Sequence, residues 1–164
     1  FIRLKNIKVV FESLKTFWNG MGNIFKNGGT LIISADIFAK GLISLGFIDG
    51  LLGLSQSFGF GFIGIGVMMT VMIFLASMLM GSGNASFFAF GPLVPEIANK
   101  LGIESTKIIL PMQISASMGR TVSPISGVII ATAEIAGVST FEIVKRNIIP
   151  LFMALIVMLI YHFI

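Results

Sequence analysis

Two short runs place polar side chains deep in uncharged sequence. The first is GSGNAS, Gly81 to Ser86, in which Ser82, Asn84 and Ser86 supply hydroxyl and amide groups while Gly81 and Gly83 permit a tight backbone turn. The second is GRTVSPISG, with Arg120, Thr121, Ser123 and Ser126 set among Gly119, Pro124 and Gly127. Pro124 lacks a backbone donor and disfavours the helical region at Ser123, so a helix is expected to open there. A helix that begins inside an apolar layer presents unpaired N–H groups and the positive end of its dipole, which suits an anion, and carbonyls freed across the break suit a cation. Arg120 adds a planar fork that matches a carboxylate. The chemistry these types support is reversible binding of a small anion. A structural role for Arg120, capping carbonyls or pairing with Glu134 or Asp36, stands beside that reading.

The elements that must position these runs follow from composition. Of 164 residues, 55% are hydrophobic and 11% charged, the net charge is +4 and there is no cysteine. Soluble domains carry about 25% charged residues, so this chain is read as a membrane protein. Its lack of cysteine excludes disulfide scaffolds, thiolate metal sites and cysteine nucleophiles. The only histidine, His162, is near the end and reads as an interfacial residue. No carboxylate cluster suggests a metal or glycosidase centre, so an enzyme is not expected. Gly59, Gly61 and Gly64 spell the dinucleotide fingerprint, but they open an apolar run with no acid until Glu96. Close helix packing, with Gly66 and Thr70 four apart, accounts for them better.

Residues 50–95 hold 46 positions without a charge. A straight helix of that length would measure about 69 Å against a hydrocarbon core of ~30 Å, so the chain must turn. The expected plan is a basic amphipathic interfacial segment over 1–27, carrying Arg3, Lys5, Lys8, Lys15 and Lys26, then a membrane domain over 28–164. Spans are expected at about 29–52, 58–80, 108–138 and 147–164. A re-entrant hairpin is expected at 82–101, as a short helix in, a turn and a short helix out. Asp36 and Lys40, four apart, share a helical face and can pair. Two interrupted apolar stretches with hydroxyl or amide groups at the breaks point to a transporter's binding site.

GSGNASFFAFGPLVPEIA followed by MQISASMGRTVSPISGVIIATAEIAGVS resembles the carboxy-terminal part of the anaerobic four-carbon dicarboxylate carriers of the DcuC type. The resemblance runs through nearly the whole chain and is strongest from Gly81 to Ser139. It implies an all-α polytopic membrane protein: one inverted repeat, with a re-entrant hairpin and a broken transmembrane helix, of a multi-pass secondary carrier in the bacterial inner membrane. Succinate- or fumarate-type substrates would meet Ser82, Gly83, Asn84 and Ser86 at the hairpin tip and Arg120, Thr121, Ser123 and Ser126 at the helix break. Gly81, Gly119, Pro124 and Gly127 would act as hinges. In the related divalent-anion sodium symporters the tip carries Ser-Asn-Thr and the broken helix Thr-Pro-Pro-Asn. Here Asn84 matches, Gly83 and Ala85 flank it, and Ser123, Pro124, Ile125 and Ser126 stand at the break, which leaves the coupling ion, H⁺ or Na⁺, open. No cofactor is implied. Implied partners are the dicarboxylate, the lipid bilayer, the amino-terminal repeat of the same carrier and, as an option, a second copy in a homodimer, with no nucleic acid. A carrier for amino acids or aminoacyl conjugates, and a non-transporting truncated fragment, are the alternatives, the latter because a chain opening on Phe1 with one hairpin reads as a second half.

Orientation is over-determined. Lysine and arginine favour the cytoplasm both for 1–27 and for Lys145/Arg146, which needs an even number of crossings between them. Three are counted: 29–52, 58–80 and 108–138. The resemblance favours a cytoplasmic Lys145/Arg146 with the basic amino-terminal stretch outside, which would put a reporter fused after Ser55 in the cytoplasm.

Overall fold

A computed structural model describes residues 7–57, 59 and 61–163, which are helical throughout apart from short turns. Arg3 and Lys5 of the basic segment, and Phe58 at the start of the expected second span, lie outside the described residues. The chain divides into two units, Phe1–Ser34 and Ala35–Ile164. In the first unit, helix α1 (Ile7–Ser44) exposes Phe11, Trp18 and Phe25 at intervals of seven, with Lys8, Lys15 and Lys26 beside them.

In the second unit α1 ends at Leu45–Gly46, where Gly46 takes φ +75°, and helix α2 (Phe47–Ser57) follows. The stretch 29–52 is therefore not one straight element. Its Asp36 and Lys40 pair at 2.8 Å as their spacing implies.

Helix α3 (Gly61–Met80) is apolar except for Thr70 and Ser77. It stops because Gly81 adopts φ +67°, where side chains clash, and Ser82 then turns extended and accepts a bond from Ala85 N at 3.2 Å to start helix α4 (Gly83–Phe90). No second reversal occurs inside 82–101. Gly91 and Val94 keep right-handed helical angles, and the chain merely tightens into a 3₁₀ turn over Gly91–Leu93 before helix α5 (Val94–Leu101). Pro92 and Pro95 each stand in a first-turn position, where a missing donor costs nothing. The hairpin is thus larger than expected: its tip is Gly81–Ser82, one arm is α3 and the other is α4 with α5.

Helix α6 (Thr106–Thr121) runs parallel to α3 at a constant offset of 45 residues. Lys107 Nζ stands 5.9 Å over the Phe62 ring, and the Ser115 hydroxyl donates to the Thr70 carbonyl at 2.8 Å. Farther along, Gly119 packs on the Phe74 carbonyl and Ser77. Because Lys107 follows Leu101 by only six residues, α5 must deliver the chain back to the end where α3 began. One core joins Ile65, Met69 and Ile73 of α3 with Leu93, Val94 and Ile97 and with Ile108, Met112 and Ala116 of α6.

After a break at Val122–Ser126, helix α7 (Gly127–Ala136) continues and helix α8 (Thr140–Phe163) returns. Helix α8 starts seven residues before the expected 147 because Ser139 and Glu142 form a reciprocal capping box, each side chain bonding the other's backbone N–H at 3.3 Å. A second core of Phe74, Val122, Ile129, Val144 and Leu155 holds this part. At its far end the His162 ring nitrogen meets the Lys107 carbonyl at 2.9 Å, and Gly66 lies beneath the Phe163 ring. By length and apolarity α3 and α8 can each cross a membrane, and the bent α1–α2 pair is a third candidate. The chain is an all-helical polytopic membrane protein.

Candidate functional site

The 45-residue offset brings the ends of α3 and α6 to one place. A Cβ built on Gly81 at the hairpin tip would lie 3.0 Å from Ile125 Cγ1 and 3.2 Å from the Ile125 carbonyl, in the break between α6 and α7. On the next turn a Cβ on Gly83 would stand 2.8 Å from the Ala116 carbonyl oxygen. Glycine at 83 and 119 is therefore a requirement of close backbone approach, while at 81 an added Cβ would be in tight contact with Ile125. The two interrupted segments thus meet in space at one place, Gly81 and Ile125.

Around it the candidate side chains separate by environment. Asn84 is exposed at the tip, and Ser82 is half-buried with its oxygen engaged in the cap of α4. Ser86 is buried, its hydroxyl lying 3.1 Å from the Ser82 carbonyl, 3.0 Å from the Gly83 carbonyl and against the Ser77 hydroxyl. Its bonding capacity is used inside the hairpin, tying α4 to α3, and it does not face the opening. Thr121 is exposed and donates to the Ser117 carbonyl at 2.9 Å.

The break itself is closed by three tight turns: Val122 N to Gly119 O, Ser123 N to Arg120 O and Ser126 N to Ser123 O, at 3.2, 3.3 and 3.2 Å. Pro124 sits inside the last of them and stops the helix from resuming before Gly127. Ser126 caps α7 through its backbone, accepting from Ile130 N at 3.0 Å, while its side chain makes no capping bond. The first N–H groups of α7 have no partner within the helix. Ser123 is fully buried, and its hydroxyl is the one buried side-chain polar atom among the described residues without a hydrogen bond. An orphan hydroxyl beside a fresh helix start is uncommon in a finished core.

Arg120 is exposed and has no ion pair among the described residues. Neither Glu134 nor Asp36 takes the partner role open to it, and Asp36 is held by Lys40. At the opposite, open end of the hairpin, Lys100 Nζ donates to Asp49 at 2.6 Å and lies 3.8 Å from Glu96. The Asp49 carboxylate raises the Lys100 pKa above its ordinary value, so this ammonium stays charged at neutral pH. Ser77 and Ser115, which lock the hairpin and join α6 to α3, carry no sequence signal: a hydroxyl in an apolar helix looks alike whether it bonds its own helix or a neighbour.

Two facing breaks in an apolar helical chain, with hydroxyl, amide and guanidinium side chains beside them, resemble the build of a membrane carrier. The chain belongs to the DcuC family, the C4-dicarboxylate anaerobic carriers, whose family model matches residues 1–164. Among curated relatives, the anaerobic C4-dicarboxylate transporter DcuC of Escherichia coli O6:H1 is 38% identical over 160 residues, covering 98% of this chain and 35% of its own length. The transporter of the same name from Shigella flexneri is 37% identical over 160 residues, with the same coverage. A Vibrio cholerae serotype O1 relative is 40% identical over 155 residues, 94% of this chain and 34% of its own. The chain thus spans about a third of the length of these relatives. No solved structure matches it.

Proposed function

We propose that these residues form one binding repeat of a secondary carrier that moves C4-dicarboxylates of the succinate and fumarate type across the bacterial inner membrane, with further repeat structure supplied by chain outside these 164 residues. The observation that carries this reading is the meeting of Gly81 with Ile125, which sets the hairpin tip against a break holding an unpaired Ser123 hydroxyl and next to an unpaired Arg120. Arg120 would take one carboxylate in a bidentate fork. The second carboxylate would meet the α7 N-terminus, Ser123 and Ser126, with Ser82, Gly83, Asn84 and Thr121 bordering the substrate. Ser86 would position the tip. The family and the names of its relatives support the substrate class. Labelled succinate uptake by the intact carrier is expected to be competed by fumarate and left unchanged by arginine. Competition by arginine instead would favour the amino-acid reading.

The hairpin also bears on orientation. With α3 returning through α4 and α5, one crossing, through α6 and α7, separates Ser55 from Lys145/Arg146, whose charge favours the cytoplasm. A reporter fused after Ser55 is accordingly expected in the periplasm, not the cytoplasm; alkaline phosphatase activity there and silence of a cytoplasmic reporter would bear this out.

A further inference from the structure

Helix α6 carries polar groups that the proposed site does not use. Gln113 and Ser117 lie on the same face as Arg120: Gln113 is two full turns away, about 10.5 Å along the axis, and Ser117 falls between. Thr106 continues the line a further seven residues toward the start of α6. All four, Thr106, Gln113, Ser117 and Arg120, are exposed. Ser117 satisfies its hydroxyl by bonding the Gln113 carbonyl at 3.3 Å, and such a residue tolerates lipid. Gln113 has no comparable escape. Its side-chain amide makes no hydrogen bond among the described residues, and Arg120 likewise stands without an ion pair. Two such groups on one face of a membrane helix cannot rest against hydrocarbon, where an unsatisfied amide and a bare cation are both strongly disfavoured. The opposite face is accounted for, since Ile108, Met112, Ser115, Ala116 and Gly119 are buried. Along the line Arg120 is the one charge, and the carboxylate of Glu104, just before the helix, is engaged by the Thr106 hydroxyl at 3.3 Å.

Resting on the site proposed above, we propose that this face of α6 lines a water-filled track along which the dicarboxylate passes between the Lys107 end and the helix break, with Gln113 contacting the substrate on the way. Its amide can donate to a carboxylate without holding it as a second arginine would, and a track needs that weaker hold.

The test uses single cysteines in the intact carrier, in a background stripped of other cysteines. Gln113→Cys, Ser117→Cys, the flanking apolar Ile114→Cys and the site variant Thr121→Cys are exposed to a membrane-impermeant cationic methanethiosulfonate in sealed cells. A thiol reacts as thiolate, which forms in water and not in lipid, so Gln113→Cys and Ser117→Cys are expected to label about tenfold faster than Ile114→Cys. Saturating succinate is expected to slow both, as well as Thr121→Cys. Equal labelling of Gln113→Cys and Ile114→Cys would overturn the track. So would fast labelling of Gln113→Cys that succinate leaves untouched while Thr121→Cys is protected. If succinate protects neither position, the site reading falls and the track with it.

Discussion

Replacing Arg120 by alanine in the intact carrier is expected to abolish succinate uptake while leaving the amount of protein in the membrane unchanged. Removing one partner of a desolvated, hydrogen-bonded charge pair costs about 2–5 kcal/mol, a loss of roughly 30-fold to several thousandfold. The separation of uptake from insertion is what distinguishes this role from a structural one. Arg120 is exposed and has no ion pair among the described residues, so its removal strands no buried acid and opens no core. Arg120→Lys keeps the charge and loses the fork, and an intermediate rate is expected. Uptake measured in vesicles, normalised to carrier content, checks both. Wild-type rates in Arg120→Ala would remove the residue from the site, and a loss of protein in proportion to uptake would return it to a structural role.

The two interrupted segments are legible in the sequence because their causes are local. Gly81 needs a left-handed backbone, and Pro124 with Gly127 ends one helix and frees the next. That they meet is not legible, since the meeting depends on the 45-residue register of α3 against α6, set by contacts such as Ser115 with Thr70 and Gly119 with Phe74. Pro92 and Pro95 look like turn residues in a sequence and instead sit at positions where a helix does not need their donors, so the hairpin's reversal moves to Gly81–Ser82 and α3 becomes an arm. Ser86 illustrates the limit for side chains: as a residue type it is as good a ligand as Ser82, but the helical phase of α4 turns it inward to Ser77. The early start of α8 was available in Ser139 and Glu142, three apart, a capping pair.

The second large effect follows from the closeness of tip and break. In a disulfide, one Cβ lies about 3 Å from the far sulfur, and a Cβ on Gly81 would stand 3.0 Å from Ile125 Cγ1, the position a cysteine sulfur at 125 can occupy. A Gly81→Cys/Ile125→Cys pair should therefore cross-link on mild oxidation. Gly81 has φ +67°, so the cysteine there costs roughly 1–2 kcal/mol of strain, which a folded membrane core can bear. The bond would fill the gap between the hairpin tip and the helix break, and succinate uptake should fall to background and recover on reduction.

The central claim is that the hairpin tip and the helix break form one site, and this cross-link tests it most directly. Membranes holding the double variant are oxidised, cleaved between residues 86 and 115 and run without reductant. A Thr70→Cys/Ser115→Cys pair, which spans the same cut, serves as the reference, because the Ser115 hydroxyl meets the Thr70 carbonyl at 2.8 Å. The account predicts that both pairs hold their fragments together and that succinate slows the Gly81→Cys/Ile125→Cys reaction. Fragments that separate for that pair while the reference pair stays joined would contradict it.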